Sequence, residues 1–207
     1  MNAYRWLATA SLLSVGMGCT SAPIRYYTLT PPADRAASVG NTGMAVEVRV
    51  THIPQQLQHS ELMVRTGPTA VTLLENERWA SPVKEEIKES LRLELQRRLA
   101  RSAGSISVYA KLSLELDVQQ FEAQFAQRAW LEASWHATLT PADPRSTDTR
   151  TATCTFHAEQ EIQGGYNAIV DAYQRDIAAL ADAIVATLSN LKNATEVACQ
   201  STSPRRG

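Results

Sequence analysis

The four histidines and three cysteines are the side chains of this sequence best suited to holding a metal or acting on a substrate. The histidines, His52, His59, His136 and His157, include no pair four residues apart and form no cluster with the cysteines. Metal ligands are usually grouped in that way, because neighbouring positions on one helix or turn can reach the same ion. The sequence also lacks a Gly-x-Ser-x-Gly nucleophile motif and a glycine-rich phosphate loop. We therefore expect no metal site, no cofactor site and no catalytic centre.

The cysteine at position 19 follows a segment with the features of an export signal. Arg5 supplies a positive charge, an apolar run extends from Trp6 to Val15, and Gly16-Met17-Gly18 directly precede Cys19. The apolar run is shorter than the roughly 20 residues that a helix needs to span a bilayer. The segment resembles a bacterial lipobox, although Gly16 stands where leucine is usual. We expect residues 1–18 to be a signal peptide and Cys19 to be the lipidated first residue of the mature chain.

Two further cysteines, Cys154 and Cys199, remain after lipidation. An exported protein lies in an oxidising compartment where disulfides persist, so a single disulfide bridge between these two cysteines is one alternative. The alternative is that Cys154, on the apolar side of a strand pattern, is a small buried side chain, while Cys199 lies in a polar tail. The sequence leaves both states open.

Two helices are predicted from apolar residues that recur every three or four positions. The first begins near Ser81, a favourable N-cap, with Pro82 in its first turn, and the second runs from about Asn167 to Leu191. The apolar stripe of the second helix consists of Val170, Tyr173, Ile177, Leu180, Ile184, Leu188 and Leu191. A stripe of this kind usually packs against a core, so we expect both helices to cover a sheet.

Strands are predicted where apolar and polar residues alternate. The segments are residues 25–29, 44–50, 62–65, 70–74, 112–118, 130–139 and 152–158. They predict one α+β domain over residues 25–192, with a mainly antiparallel sheet of about five to seven strands and two long helices packed on one face. Residues 19–24 are expected to be a lipidated tether, and residues 193–207 a flexible tail.

Three aromatic residues, Phe121, Phe125 and Trp130, flank the predicted turn of the long hairpin. The alternation breaks there, so no single buried face is available to all three. One interpretation is an exposed contact for a partner, since aromatic side chains often dominate interface energies. The other is a small apolar cluster beneath a neighbouring loop or helix.

The charge balance argues against nucleic acid as a partner. Twenty basic and twenty-one acidic residues give a formal net charge of -1, and hydrophobic residues make up 44% of the 207 positions. Affinity for nucleic acid comes mainly from neutralising phosphates, which requires a basic surface. The composition instead indicates one well-cored globular domain with a short tail.

The order of several motifs resembles one known family. The sequence is similar to the PqiC-like auxiliary lipoproteins, also described as the ABC-type transport auxiliary lipoprotein component, over roughly residues 19 to 190. The motifs are Cys19, Tyr26-Tyr27-Thr28-Leu29, Glu77-Arg78-Trp79-Ala80-Ser81-Pro82, Gln120-Phe121-Glu122 and Leu131-Glu132-Ala133-Ser134-Trp135.

This resemblance implies a role in transport and not in catalysis. It implies an outer-membrane-anchored subunit, on the periplasmic face of a Gram-negative bacterium, that docks a periplasm-spanning MCE-domain protein in lipid transport between membranes. Thr20 is consistent with the outer membrane, since Asp at that position is the usual signal for inner-membrane retention in enteric bacteria. Association with further copies of the chain is left open. The alternative hypothesis is a stand-alone carrier that encloses a lipid between sheet and helices, which would need an apolar cavity of several hundred Å³.

Overall fold

The computed structural model describes residues 22–30, 44–101, 108–191 and 196–202. These residues form one mixed eight-stranded sheet and two α-helices, so the predicted α+β class is confirmed, with more strands than the five to seven expected. The helices are α1 (Val83–Arg101) and α2 (Tyr166–Asn190). The strands are β1 (Arg25–Tyr27), β2 (Ala45–His52), β3 (Glu61–Arg65), β4 (Val71–Trp79), β5 (Tyr109–Gln124), β6 (Arg128–Pro141), β7 (Arg150–Glu161) and β8 (Glu196–Thr202).

The long antiparallel strands β5, β6 and β7 form the middle of the sheet. Leu116 pairs with Trp135, Trp135 pairs with Cys154, and all three side chains are buried. Because successive side chains of a strand point to opposite faces, one face of the sheet is apolar and the other is polar. Both helices cover the apolar face, as the sequence predicted.

Strands β2 and β3 share one edge of β5 and leave a break between them. The strand β2 runs parallel to β5 as far as His52 beside Asp117, whereas β3 meets β5 only where Arg65 lies beside Gln124. A short 3-10 turn, Gln55–Leu57, connects the two strands. The strand β4 then returns antiparallel to β3, and β1 lies parallel to its end as the sheet edge. The break exposes a section of the β5 edge.

The two helices pack against each other and against the sheet. Arg98 of α1, only 7% exposed, donates to both carboxylate oxygens of Asp182 on α2, at 2.5 and 2.9 Å. Gly164 has a φ of 108°, a left-handed conformation that glycine adopts without steric cost, in the turn that precedes α2. The large apolar residues of the helices that have no exposed surface are Ile87, Leu91, Leu95, Ile169, Ile177, Leu180 and Ile184.

The end of the chain differs from the sequence-based prediction. Residues 196–202, expected to belong to a flexible tail, form β8 and pair in parallel with β7. The prediction is wrong for these residues because the edge of β7 offers unpaired backbone groups to the returning chain. The alternation of Glu196 and Ala198, which are exposed, with Val197 and Cys199, which are half-buried, is compatible with an edge strand.

Candidate functional site

An open groove of about 920 Å³ lies at the break between β2 and β3. Its apolar floor consists of Ile53, Leu57, Trp79 and Val83, each less than a tenth exposed. The irregular chain after β2 builds one wall, and the junction of β4 with α1 builds the other. Apolar floors with polar edges are typical of sites that bind a ligand or a peptide side chain.

The edge of the groove is free of acidic side chains. Among the described residues that line it there is no Asp or Glu, whereas His52, His59 and Lys84 are present. Lys84 lies in the first turn of α1, next to the positive end of the helix dipole. The described lining of the groove therefore combines apolar side chains with one lysine and two histidines.

The first strand is fixed to β4, next to the groove, by a buried carboxylate. Glu77, 4% exposed, accepts hydrogen bonds from Nε of Arg25 at 2.9 and 3.0 Å and from the Tyr27 hydroxyl at 2.6 Å. The Arg25 guanidinium holds the pKa of Glu77 below its usual value. Burial, with the hydrogen bond to Glu77, raises the pKa of Tyr27 to about 12. Both groups stay in their bonded protonation states at neutral pH.

A second buried carboxylate, Glu86 of α1, holds the residues that follow β1. It accepts hydrogen bonds from the Thr28 hydroxyl at 2.7 Å, the Leu29 backbone N–H at 2.9 Å and the Ser81 hydroxyl at 2.7 Å. Two of the motifs that carry the family resemblance, residues 26–29 and 77–82, therefore contact each other. Together they position Trp79 on the groove floor.

Phe121 is a core residue and not an exposed contact. It is 1% exposed, and its ring stacks on Tyr173 of α2 at a centroid distance of 4.0 Å. A register shift in β5 between Val118 and Gln120 turns Phe121 toward the helices. The prediction of a partner contact is wrong for this residue. After the shift, the side chains of β5 point to the opposite faces from those that the alternation before the shift predicts.

The other two aromatic residues lie apart from each other. Phe125 lies in the β5–β6 turn, 43% exposed, with its ring 5.3 Å from Tyr166 at the start of α2. Trp130 lies on the polar face of the sheet, half-buried, with the Arg128 guanidinium 5.5 Å from its ring. The structure therefore does not unite the three residues in one surface, although contacts by Phe125 and Trp130 stay predictions.

Cys154 and Cys199 lie opposite each other in the parallel strands β7 and β8, with Cα atoms 4.7 Å apart, and the structure joins them in a disulfide. Since Cys154 is itself 4% exposed, the bridge lies at the edge of the core. Cys19 and residues 1–18 lie outside the described residues, so lipidation stays a prediction.

Two of the four histidines, His52 and His59, line the groove, and the other two lie elsewhere. His136 contacts Thr153 at 2.8 Å and His157 contacts Glu132 at 3.0 Å, both on the polar face of the sheet. Across the described ranges, His, Cys, Asp and Glu form no group of three that could hold a metal ion. Neither of the two helices described above has the length and hydropathy needed to cross a membrane.

A buried aspartate was missed by sequence reasoning. Asp176 of α2 is fully buried, and neither of its carboxylate oxygens has a hydrogen-bond partner among the described residues. Burial raises the pKa of Asp176 to about 7, against the opposing influence of Gln160 and Arg175. The signal was present in the sequence, because Asp176 interrupts the apolar stripe between Tyr173 and Ile177.

The structure is an α+β domain in which a filled core supports an open apolar groove. The sequence matches the family described as the ABC-type transport auxiliary lipoprotein component over residues 27–185, and the chain belongs to this family. The recognition made from the sequence motifs is thereby confirmed. The description of this family is that of a lipoprotein component auxiliary to transport.

A solved structure shares this fold at low sequence identity, and a second also aligns with the chain. A crystal structure described as that of an uncharacterized protein aligns with a TM-score of 0.59 and 18% identity, covering 81% of this chain and 99% of that one. A Xanthomonas campestris protein of the DUF330 family aligns with a TM-score of 0.48 and 16% identity, covering 72% and 87% of the two chains. No curated protein shows significant sequence similarity to the chain.

Proposed function

We propose that this protein is an outer-membrane-anchored auxiliary lipoprotein of an MCE-type intermembrane lipid transport system, and that its groove docks the periplasm-spanning MCE component. The observation that carries the proposal is the groove, because its apolar floor and its lack of acidic edge residues fit a segment with apolar side chains and carboxylates. Family membership supports the association with transport.

The alternative of a lipid carrier is less well supported by the packing. A carrier would hold acyl chains between the sheet and the helices. The side chains at that position, such as Leu91, Leu114 and Ile177, are at most 1% exposed and belong to one continuous core. The groove itself is open at the surface, which suits a protein segment better than an acyl chain that must be shielded from water.

Charge reversal at the groove tests the docking proposal. Lys84→Glu places an acid at the groove edge, in the first turn of α1, where the helix dipole tolerates it. After crosslinking in cells that express the full-length lipoprotein, we expect recovery of the MCE-domain protein with this variant to fall by roughly three- to tenfold, which is typical for an interface charge.

Lys88→Glu is the matched control. It makes the same charge change one turn further along α1, does not line the groove, and removes only the exposed pair with Glu85. Recovery of the MCE-domain protein should then match the wild type. Equal recovery with both variants would refute docking in the groove, and lipid extracted with the purified protein, without an MCE partner, would favour the carrier.

A further inference from the structure

The strand β2 has an outer edge to which no strand of the described chain pairs. It runs parallel to β5 along its other edge, and β5 is its one strand partner among the described residues. Proteins commonly block such an edge with a proline, a β-bulge or a charge that points toward the core. Between Ala45 and Val50 the register is regular, proline is absent and the core-facing residues are valines. Nothing in this stretch of β2 therefore opposes the addition of another strand.

The sequence of this edge is symmetric about Val48. Val46 and Val50 flank it on the core face, while Glu47 and Arg49 lie on the exposed face with opposite charges. Directly opposite residues of an antiparallel pair lie on the same face of the sheet. A second copy of β2, paired antiparallel about Val48, would therefore place every valine opposite a valine. The same pairing places Glu47 of each copy opposite Arg49 of the other.

Charge distinguishes this register from the others that keep the valines on the core face. A pair centred on Glu47 would oppose two glutamates, and a pair centred on Arg49 would oppose two arginines, which is destabilising. A pair centred on Val46 or Val50 would leave both charges opposite uncharged residues. The register about Val48 is the one that forms two pairs of opposite charge.

The neighbouring strand β5 extends these charge pairs. Lys111 Nζ lies 2.5 Å from a carboxylate oxygen of Glu47, and Arg49 forms an ion pair with Glu115. Pairing of two β2 edges would therefore build two rows of four charges that alternate in sign. Each row contains Lys111 and Glu47 of one copy, followed by Arg49 and Glu115 of the other. Networks of this kind contribute more than isolated exposed ion pairs, which are worth little.

We infer that two copies of this chain associate through antiparallel pairing of their β2 edges about Val48. In each copy the strands β2, β5, β6, β7 and β8 are consecutive neighbours, so the pair forms a continuous run of ten strands. This number lies within the usual range of open sheets. The inference concerns a surface other than the groove and does not depend on the docking that the groove is proposed to perform.

Charge reversal in two complementary variants tests the pairing. Glu47→Arg opposes two arginines in a pair of identical copies, and Arg49→Glu opposes two glutamates. The full-length mature lipoprotein is prepared with either of two affinity tags and mixed in detergent at less than one chain per micelle. Co-purification of the two tagged forms should fall about tenfold for each variant alone, because like charges replace both favourable pairs. A mixture of the two variants restores opposite charges at both positions and should recover the wild-type yield.

The mixture separates association from folding, because it contains the same two chains that fail to associate alone. Glu159→Arg is the matched control, since it disrupts another exposed ion pair on the polar face, with Arg128, away from the β2 edge. Its co-purification should equal that of the wild type. Wild-type chains that do not co-purify, variants that associate as the wild type does, or a mixture that recovers no association would each overturn the inference.

Discussion

Asp176 shows how one residue can make the stability of the whole domain depend on pH. Its carboxylate is fully buried without a hydrogen-bond partner in the described structure, and its pKa is raised to about 7. The unfolded chain loses this proton near pH 4, whereas the folded chain retains it up to about pH 7. Folding stability therefore decreases as the pH rises from about 4 to 7, by up to about 4 kcal/mol.

Asp176→Asn should remove this pH dependence, because the amide cannot ionise. We expect the variant to be more stable than the wild type at pH 8 by a few kcal/mol and similar to it at pH 4. Urea denaturation at both pH values measures the difference, and Asp171→Asn, at an exposed position of the same helix, is the control. A variant with the same loss of stability between pH 4 and 8 as the wild type would show that Asp176 is not the titrating group.

Phe121 and Phe125 are separated by four residues but belong to different parts of the molecule. Phe121→Ala should lower the free energy of unfolding by about 3 to 5 kcal/mol, because it removes a ring stacked on Tyr173 inside the core. Phe125→Ala should cost less than about 1.5 kcal/mol, since that ring is already 43% exposed. Thermal or urea unfolding of the two variants under one condition gives the comparison. Equal losses would contradict the assignment of Phe121 to the core.

At the scale of elements, α2 carries much of the stability through its apolar stripe. Leu180 is fully buried in the core that the two helices share with the sheet. Leu180→Ala should cost about 2 to 5 kcal/mol through lost burial and the cavity that remains. Calorimetry of the variant checks this value, with Ala186→Ser on the exposed side of α2 as the control. An unchanged melting temperature combined with lost partner binding would place the stripe at an interface instead.

The disulfide between Cys154 and Cys199 attaches the strand β8 to β7. The bridge would close a loop of 45 residues, and a disulfide of this kind typically contributes roughly 2 to 4 kcal/mol. The double variant Cys154→Ala, Cys199→Ala should therefore lose about this amount relative to the oxidised wild type. Labelling of both thiols in protein isolated natively from the periplasm, without prior reduction, would show that the bridge does not form in the cell.

The elements differed in how far the sequence could predict them. The start of α1 and both ends of α2 were predicted to within two residues, because the spacing of Ile87, Leu91 and Leu95, and of Ile177, Leu180 and Ile184, defines a single face on each helix. The parallel pairing of β1 with β4 and of β2 with β5 was not predicted. Strand direction depends on contacts between distant residues, which alternation within one strand does not report.

At the scale of the whole molecule, the groove shows why a site can escape sequence analysis. It is formed where the chain is irregular, between β2 and β3, so its lining residues have no period. The one sequence signal for the groove was the motif at residues 77–82, which is part of the family resemblance. The structure explains the role of these residues. Glu77 fixes the first strand, Trp79 lies on the groove floor, and the Ser81 hydroxyl donates a hydrogen bond to the Glu86 carboxylate.

Site-specific photocrosslinking in living cells tests the docking claim most directly. A photoreactive amino acid at Gln58, an exposed residue of the groove, is compared with one at Thr155, an exposed residue on the polar face of the sheet. The account predicts an adduct with the MCE-domain protein, identified by mass spectrometry, from position 58 and not from position 155. Capture of that protein from position 155 alone, with none from position 58, would contradict docking in the groove.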